Sequence, residues 1–284
     1  MKYVVKDLVA VVVLYNTNAS ASKTLLALEA NSTYMNEDLD VIVYDNSPNT
    51  IAHEFHGLKH LHISYFHDKS NPGVSKAYNF AAKEGARENK QFLLLLDQDT
   101  NLPSDSLSKY LVAVNTNNCK LFVPILKANN AVYSPAKYFF SRGVIWNDVQ
   151  PGIHSLKNRT ILNSGALVSI DAFLQAGQFN EAIQLYFSDF DFINRFRKIY
   201  HEFYVLDVIC NHQLSDIENT DLKSAQNRFR YYSKGSLLSS TNTWLYICHF
   251  ATVLLRAAKL SWNFKSLVFL RIFFSTYLNA GKAN

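Results

Sequence analysis

The sequence predicts an α/β protein: a doubly wound, mostly parallel sheet with a helical extension at its carboxyl end. Three observations predict this class. Residues 93–96 are four consecutive leucines without alternation, the pattern of a strand buried on both faces within a parallel sheet. The chain up to that run alternates strand, helix, strand, strand, helix, strand. The strands at 9–14, 41–44 and 93–96 each stop on polar or acidic residues, so their ends should line one crevice, where open α/β sheets bind ligands. With 284 residues, 48% apolar and 18% charged, the chain is long and apolar enough for a large core, which excludes a disordered protein.

The elements follow in order. Residues 9–14 form a β-branched strand ending at Tyr15-Asn16-Thr17-Asn18, and a helix begins near Ser22. The amino terminus carries Asp7 inside its apolar stretch, so it reads as a first strand and not a signal peptide. Residues 41–44 stop at the turn signal Asp45-Asn46-Ser47-Pro48, and 63–66 give a short third strand. Asn71-Pro72-Gly73 turns the chain into a helix over 74–88, which leads to the leucine strand. In the less regular second half, strands are expected at 121–126, 138–146, 161–170 (interrupted at Asn163-Ser164-Gly165) and 203–209. Asp171 is read as the cap of a helix from Ala172, and Ser188-Asp189-Phe190-Asp191 opens another over 192–200.

The leucine strand ends on Asp97 and Asp99. Two hard oxygen ligands at a sheet crevice suit a divalent cation that also touches a phosphate. A plain polar turn is the alternative reading of that stretch alone. The three cysteines are widely spaced with no CxxC pair, which argues against a zinc site or disulfide framework and fits a reducing cytosol.

Charge divides the chain at Asp221. All 23 acidic residues lie at or before it, whereas nine of the 28 lysines and arginines follow it. We therefore expect a domain over 1–221 and a basic, apolar helical extension over 222–284. His249, Thr252, Arg256 and Lys259 recur at helical spacing and predict a polar, basic face on a helix over 244–260. A second apolar run spans 267–278, broken by Arg271. Both runs fall short of the roughly 20 apolar residues of a spanning helix, and they predict an anionic membrane surface as partner of 244–282. Basic charge confined to an apolar tail does not suit nucleic acid.

These motifs together, in this order, resemble the family 2 glycosyltransferases of GT-A fold, especially the bacterial rhamnosyltransferase-like branch, over roughly 8–235. VLYN at the end of the first strand resembles the family's opening strand, so the resemblance places Tyr15 and Asn16 at the nucleotide. VIVYDNSP implies that Asp45 contacts base or ribose. NPGVSKAYN matches the pattern N-x-G-x-x-x-A-x-N, with Gly73 letting backbone approach the nucleotide sugar and Asn71 and Asn79 fixing the loop. LLLLDQDT looks like the metal motif, which implies Asp99 as direct ligand and Asp97 nearer the ribose or diphosphate. NSGALVS resembles the acceptor border, with Ser164 and Gly165 on that side. In YFSDFDFINRFRK, Asp189 takes the catalytic-base position and Asp191 the second acidic position, with Arg195 behind it. His212 stands where the family has a metal-ligating histidine. RFRYYSKGS resembles the branch's RxYYxxRN stretch without its final Arg-Asn, and Ser188 and Tyr186 replace a frequent Glu and Asp.

The resemblance implies an inverting, metal-dependent glycosyltransferase using Mg²⁺ or Mn²⁺. Its donor would be a nucleotide-diphosphate sugar (rhamnose the first expectation) and its acceptor a glycan, lipid-linked, in bacterial surface polysaccharide synthesis. It would sit peripherally on the cytoplasmic face of the membrane. Two alternatives are carried alongside. LLLLDQDT also approaches the hhhhDxDxT motif of haloacid-dehalogenase-type phosphatases, with Asp97 as nucleophile. A sugar-nucleotide binding protein without turnover is the other.

Overall fold

The computed structural model describes residues 2–128, 131–211 and 221–280. After a 3-10 turn at Val5–Asp7, β1 (Leu8–Leu14) is buried along its whole length. Its alternate residues enter two different cores: Val9, Val11 and Val13 on one face, Leu8, Ala10 and Val12 on the other. That two-sided burial is why the strand shows no polar alternation. A second 3-10 turn (Ala19–Ala21) precedes α1 (Lys23–Met35), capped by the Ser22 side chain at Leu25 N. Next come β2 (Leu39–Asp45), β3 (Leu61–His67), α2 (Val74–Arg87) and β4 (Phe92–Asp97). β3 lies at the sheet edge and accordingly alternates buried and open residues.

The strand order is β3-β2-β1-β4, all parallel. Register pairs Leu14 with Asp45 and Val13 with Asp97, so the three strands end level and their acidic tips share one rim. The expected doubly wound, mostly parallel sheet is therefore present.

Beyond β4 run α3 (Ser106–Thr116), β5 (Leu121–Ala128), β6 (Ala131–Ser134), β7 (Ala136–Phe139), β8 (Arg142–Val144), β9 (Gly152–Ser155), β10 (Arg159–Thr160), β11 (Ala166–Ser169), α4 (Ile170–Gln175), α5 (Ser188–Phe196) and β12 (Glu202–Asn211). The sheet continues β4-β11-β5-β12-β9, with β11 antiparallel to both neighbours and β12 parallel to β5. Three local expectations are corrected. The strand expected over 138–146 is broken by Phe140 and Ser141, both at positive φ, and folds into the β7–β8 hairpin. The strand expected over 161–170 is confined to β11. Asp171 lies in the first turn of α4, whose cap position is Ser169.

The extension forms α6 (Leu222–Leu238), α7 (Thr243–Asn263) and α8 (Val268–Ala280) around a third apolar core that includes Phe229, Val253, Phe269 and Phe273. The face predicted from His249, Thr252, Arg256 and Lys259 is not a solvated one. His249 and Thr252 are buried and Arg256 lies over the Tyr232 ring at 4.3 Å. The side of α7 turned to solvent carries large apolar residues, Trp244, Ile247, Leu255 (69% exposed) and Trp262 (85%), together with Lys259. No described helix is long and apolar enough to cross a membrane.

Candidate active site

The level tips of β1, β2 and β4 open into a crevice of about 1070 Å³, walled on the sheet side by Tyr15, Asn71, Gly73, Asp97 and Asp99. The Asp97–Asp99 turn is bolted to the start of α1. Thr24 Oγ1 donates to the Asp97 carbonyl at 2.5 Å and accepts from Thr100 N at 2.8 Å, and Ser22 Oγ donates to the Gln98 carbonyl at 2.9 Å. Gln98 Oε1 in turn accepts from Tyr15 N at 2.8 Å, which ties the β1 tip to the β4 tip. Asn16, at positive φ, donates its N–H to Ser47 Oγ at 2.8 Å and ties β1 to β2.

Asp45 sits behind this wall. It is fully buried, and its oxygens accept from Ser47 N (2.8 Å), Ser47 Oγ and Tyr65 OH (2.9 Å) and meet His53 Nε2 at 2.9 Å. Burial pushes its carboxyl up, but the hydrogen bonds from Ser47, His53 and Tyr65 outweigh it and hold the group below the usual carboxylate range. The residue that reaches the crevice from this turn is Asn46, 3% exposed, whose Oδ1 is buried with no hydrogen-bond partner. A side-chain amide left unpaired at the end of β2 is suited to a polar edge of a base or ribose. DNSP holds both residues, and sequence reasoning singled out the charged one.

Gly73 lines the crevice at φ +92, yet its missing side chain answers to the protein. A Cβ there would lie 2.1 Å from the Gln184 carbonyl oxygen, and Val74 N donates to that same oxygen at 3.1 Å. The NPG turn therefore docks the segment before α5. Asn79 does the same from inside. Its Nδ2 donates to the Phe179 carbonyl (2.9 Å) and Glu181 (3.0 Å), and its Oδ1 accepts from Phe179 N (2.8 Å). Buried at 4% exposure, Asn79 supports the segment at 179–181.

Asp189 stands in the first turn of α5, where the helix N-terminus favours an acidic group. Desolvation nonetheless raises its pKa to about 6, and the charge of nearby Asp97 adds to the rise against a hydrogen bond from Phe190 N. Between them lies buried Tyr78, which sequence reasoning passed over inside NPGVSKAYN. Its hydroxyl donates to Asp97 Oδ1 at 3.2 Å and is held well above its usual range by burial and by the charges of Asp97, Asp189 and Asp99. Asp191 is committed elsewhere: Arg195 donates to its Oδ2 through Nη2 (2.8 Å) and Nε (3.2 Å), and Nη1 reaches the Ala176 carbonyl at 2.7 Å. The pair anchors α5.

Ser164 and Gly165 also lie inside the protein. The Ser164 hydroxyl bonds Thr100 Oγ1, Gly165 N donates to the Leu95 carbonyl at 2.8 Å, and its carbonyl accepts from Tyr110 OH at 2.5 Å. They fix β11 against β4. His212 falls outside the described residues. Asn211, the last residue of β12, forms a bridge to Asn101, two residues past Asp99. Among the described residues no group of three or more His, Cys, Asp or Glu could hold a metal. Asp99 at the crevice rim has the oxygen chemistry for Mg²⁺ or Mn²⁺, which are commonly held by one or two carboxylates plus substrate phosphates.

The far wall of the crevice comes from α6 and its cap: Asp221, Ser224, Asn227, Arg228, Arg230, Tyr231 and Lys234. Four of these stand in RFRYYSKGS, which the sequence presents as a stretch without saying which side chains face the site.

With this geometry in place, residues 9–163 match the family Glycosyl transferase family 2, more than half of the chain. The chain belongs to glycosyl transferase family 2. The dTDP-rhamnosyl transferase RfbF of Shigella flexneri is 22% identical over 187 residues, which cover 64% of this chain. The chain spans only 60% of that relative's length. Among solved structures, S. aureus TarS 1-349 in complex with UDP-GlcNAc aligns over 97% of this chain and 79% of its own, with TM-score 0.58 and 14% identity. GalNAc-T7, crystallised with UDP, GalNAc and Mn²⁺, aligns over 84% of this chain and 51% of its own, with TM-score 0.52 and 10% identity. These likenesses bear out the GT-A fold expected from the motifs. Family membership overturns the phosphatase alternative, in which Asp97 would be a nucleophile on the first strand. Here it ends the fourth strand of the chain and accepts a hydrogen bond from buried Tyr78.

Proposed function

We propose that this protein transfers a sugar from a nucleotide-diphosphate donor to a glycan acceptor, inverting the anomeric centre. The observation that carries the reading is the carboxylate of Asp189, just behind the crevice lining, raised to a pKa of about 6 by burial and by the charge of Asp97 on the crevice wall. A base with a pKa just under neutrality is ionised at pH 7 and still accepts a proton effectively. Tyr15 and Asn46 at the tips of β1 and β2, with Asn71 in the turn before α2, hold the nucleotide end. Asp189 takes the proton of an acceptor hydroxyl as its oxygen attacks the anomeric carbon. The bond from that carbon to the diphosphate oxygen breaks with its electron pair leaving on the diphosphate. A single displacement of this kind inverts configuration. Mg²⁺ or Mn²⁺ at Asp99, with His212 as second ligand, would neutralise charge on the leaving diphosphate.

Rhamnose is the proposed sugar, supported by the name of the Shigella relative. The acceptor is proposed to be lipid-linked and the protein peripheral on the cytoplasmic face of the membrane. The outward sides of α7 and α8 support this, with Trp244, Leu255, Trp262, Leu267 and Leu278 exposed beside Lys259, Lys265 and Arg271. Phe140 meets Trp244 at 5.9 Å between ring centroids and extends the apolar surface onto the β7–β8 hairpin, where Phe139 is exposed. Apolar residues mixed with basic ones suit an anionic lipid interface.

The test is release of nucleoside diphosphate from a panel of UDP-, GDP- and dTDP-sugars, with bacterial membranes as acceptor and Mn²⁺ present. Release from one nucleotide class, abolished by Asp99→Ala, is the expected result. Undiminished release in chelator would overturn the metal assignment. Donor binding with no release under any condition would leave a binding protein.

A further inference from the structure

We propose that the crevice-facing side of α6 is a diphosphate-binding surface, with Arg228 and Lys234 as its cationic groups. This deepens the nucleotide-sugar reading and rests on it. Ser224, Asn227, Arg228, Tyr231 and Lys234 follow the spacing i, i+3, i+4, i+7, i+10, so one stripe of the helix faces the crevice. That stripe is polar or cationic throughout, and it stands across the crevice from Asp97 and Asp99.

The cations on it are not spent on protein partners. Arg228 Nη1 is buried and makes no hydrogen bond, although a buried guanidinium N–H is costly to leave unpaired. Neither Arg228 nor Lys234 forms an ion pair among the described residues, whereas Arg195 and Lys76 each engage a carboxylate. Arg230 also lines the crevice, but it donates to Asn227 Oδ1 at 2.8 Å. Asp221 is the carboxylate on this wall, and it is engaged in capping α6, accepting from Lys223 N, Ser224 N and Ser224 Oγ; no acidic residue follows it in the sequence.

A ligand that completes this arrangement is an anion with several oxygens and more than one charge, set between a carboxylate rim and a cationic wall. A diphosphate has that form, and a planar guanidinium engages two of its oxygens at once. The group could belong to the nucleotide donor or to a lipid-diphosphate acceptor. In the first case the wall meets charge that grows as the sugar leaves. In the second it seats the acceptor. The position of α6 matters to either, because the helix is held against the segment before α5. Gly235 packs where a Cβ would lie 2.2 Å from the Tyr186 carbonyl oxygen.

The experiment compares the full-length protein with Arg228→Gln/Lys234→Gln and with the charge-preserving Arg228→Lys/Lys234→Arg. Inorganic pyrophosphate is titrated in the presence of chelator. UDP and dTDP are titrated with Mn²⁺, and sedimentation is measured with phosphatidylcholine vesicles carrying a polyprenyl diphosphate. Loss of charge-assisted hydrogen bonds should weaken pyrophosphate by about tenfold or more in the glutamine variant, with most of the affinity restored in the charge-preserving one. A parallel loss for UDP or dTDP assigns the wall to the donor. A loss confined to the polyprenyl diphosphate vesicles assigns it to the acceptor. Unchanged affinity in every arm, or no pyrophosphate binding to the parent protein in chelator, overturns the proposal. Lys234→Gln alone, at an exposed position, keeps the test valid if the double variant does not fold. Failure of the parent protein to bind UDP or dTDP with Mn²⁺, while pyrophosphate still binds, would strike the nucleotide-sugar reading and spare this one.

Discussion

Asp189 holds a carboxylate in surroundings that disfavour its charge, and this has consequences for both rate and stability. Asp189→Asn keeps the acceptance of the Phe190 N–H but cannot take a proton, so transfer should fall by about 10²–10⁴ with donor affinity retained. In the parent protein the rate should climb with pH through about 6 as Asp189 ionises. The stability effect runs the other way. A carboxyl whose folded pKa is raised binds its proton more tightly when folded, so its contribution falls as pH rises from the unfolded value toward 6. Asp189→Asn should therefore be more stable than the parent at pH 7.5, by roughly 1–2 kcal/mol after allowance for partial exposure, and the gap should close near pH 4. Thermal melts of both proteins across that range check the sign. A variant less stable at every pH would contradict it. At this scale the sequence was legible where a motif ends on a strand tip, as at Asp97 and Asp99. It was silent on burial and on the partners each carboxylate finds within the protein. Asp45 and Asp191 read as site carboxylates, yet hydrogen bonds within the protein occupy them, and neighbouring Asn46 faces the crevice. Burial of a single side chain depends on distant elements, such as Tyr65 on β3, that no local pattern reveals.

The segment that leads into α5 and the proposed base is shaped by two helices, α2 and α6. α2 presses on Gln184 through Gly73, and α6 presses on Tyr186 through Gly235. Between them Phe187 adopts φ 72, a left-handed conformation uncommon for a bulky residue, just before α5 begins. The rings of Tyr232 and His249 pack its side chain edge-on, at 4.9 and 5.0 Å. Gly235→Ala isolates this coupling. A helix interior gains about 1 kcal/mol from Ala over Gly, whereas a Cβ forced against a backbone carbonyl costs about 1–3 kcal/mol. We expect net destabilisation together with weaker UDP or dTDP binding, measured by melting and titration. A stabilised variant with normal binding would show that α6 does not set the segment. β1, β2 and β4 were legible because both their faces are buried, which makes them continuous apolar runs. α3 was not anticipated: its buried Leu107, Tyr110, Ala113 and Val114 keep helical spacing, but exposed Val112 and half-buried Leu111 turn 110–114 into a continuous apolar run without a helical period. The β7–β8 hairpin was read as one strand because nothing in FFSR announces two consecutive residues at positive φ.

Taken as a molecule, the chain joins an acidic sheet rim to a basic helical wall and turns apolar helix faces outward. The charge step at Asp221 was visible in the sequence, but its placement was not. The recurrence of His249, Thr252 and Arg256 describes the inner side of α7, where His249 Nδ1 meets Ser240 Oγ at 2.8 Å and Arg256 lies over the Tyr232 ring. Binding to anionic vesicles at low salt should survive replacement of His249 by Gln and should fall by about 100-fold or more when Lys259, Lys265 and Arg271 are changed to Glu, at about 1 kcal/mol per charge. Co-sedimentation measures it, and indifference to the three reversals would remove the lipid surface from the account. The central claim is that one crevice, closed by both parts of the chain, binds a nucleotide-diphosphate sugar. Thermal melting of the full-length protein against a panel of UDP-, GDP- and dTDP-sugars, with Mn²⁺ and then with chelator, tests it most directly. One nucleotide class at about 100 times its Kd should stabilise by about 2.7 kcal/mol, a rise of roughly 5 °C or more that chelator diminishes. A melting temperature that no nucleotide sugar moves, with or without metal, would contradict it.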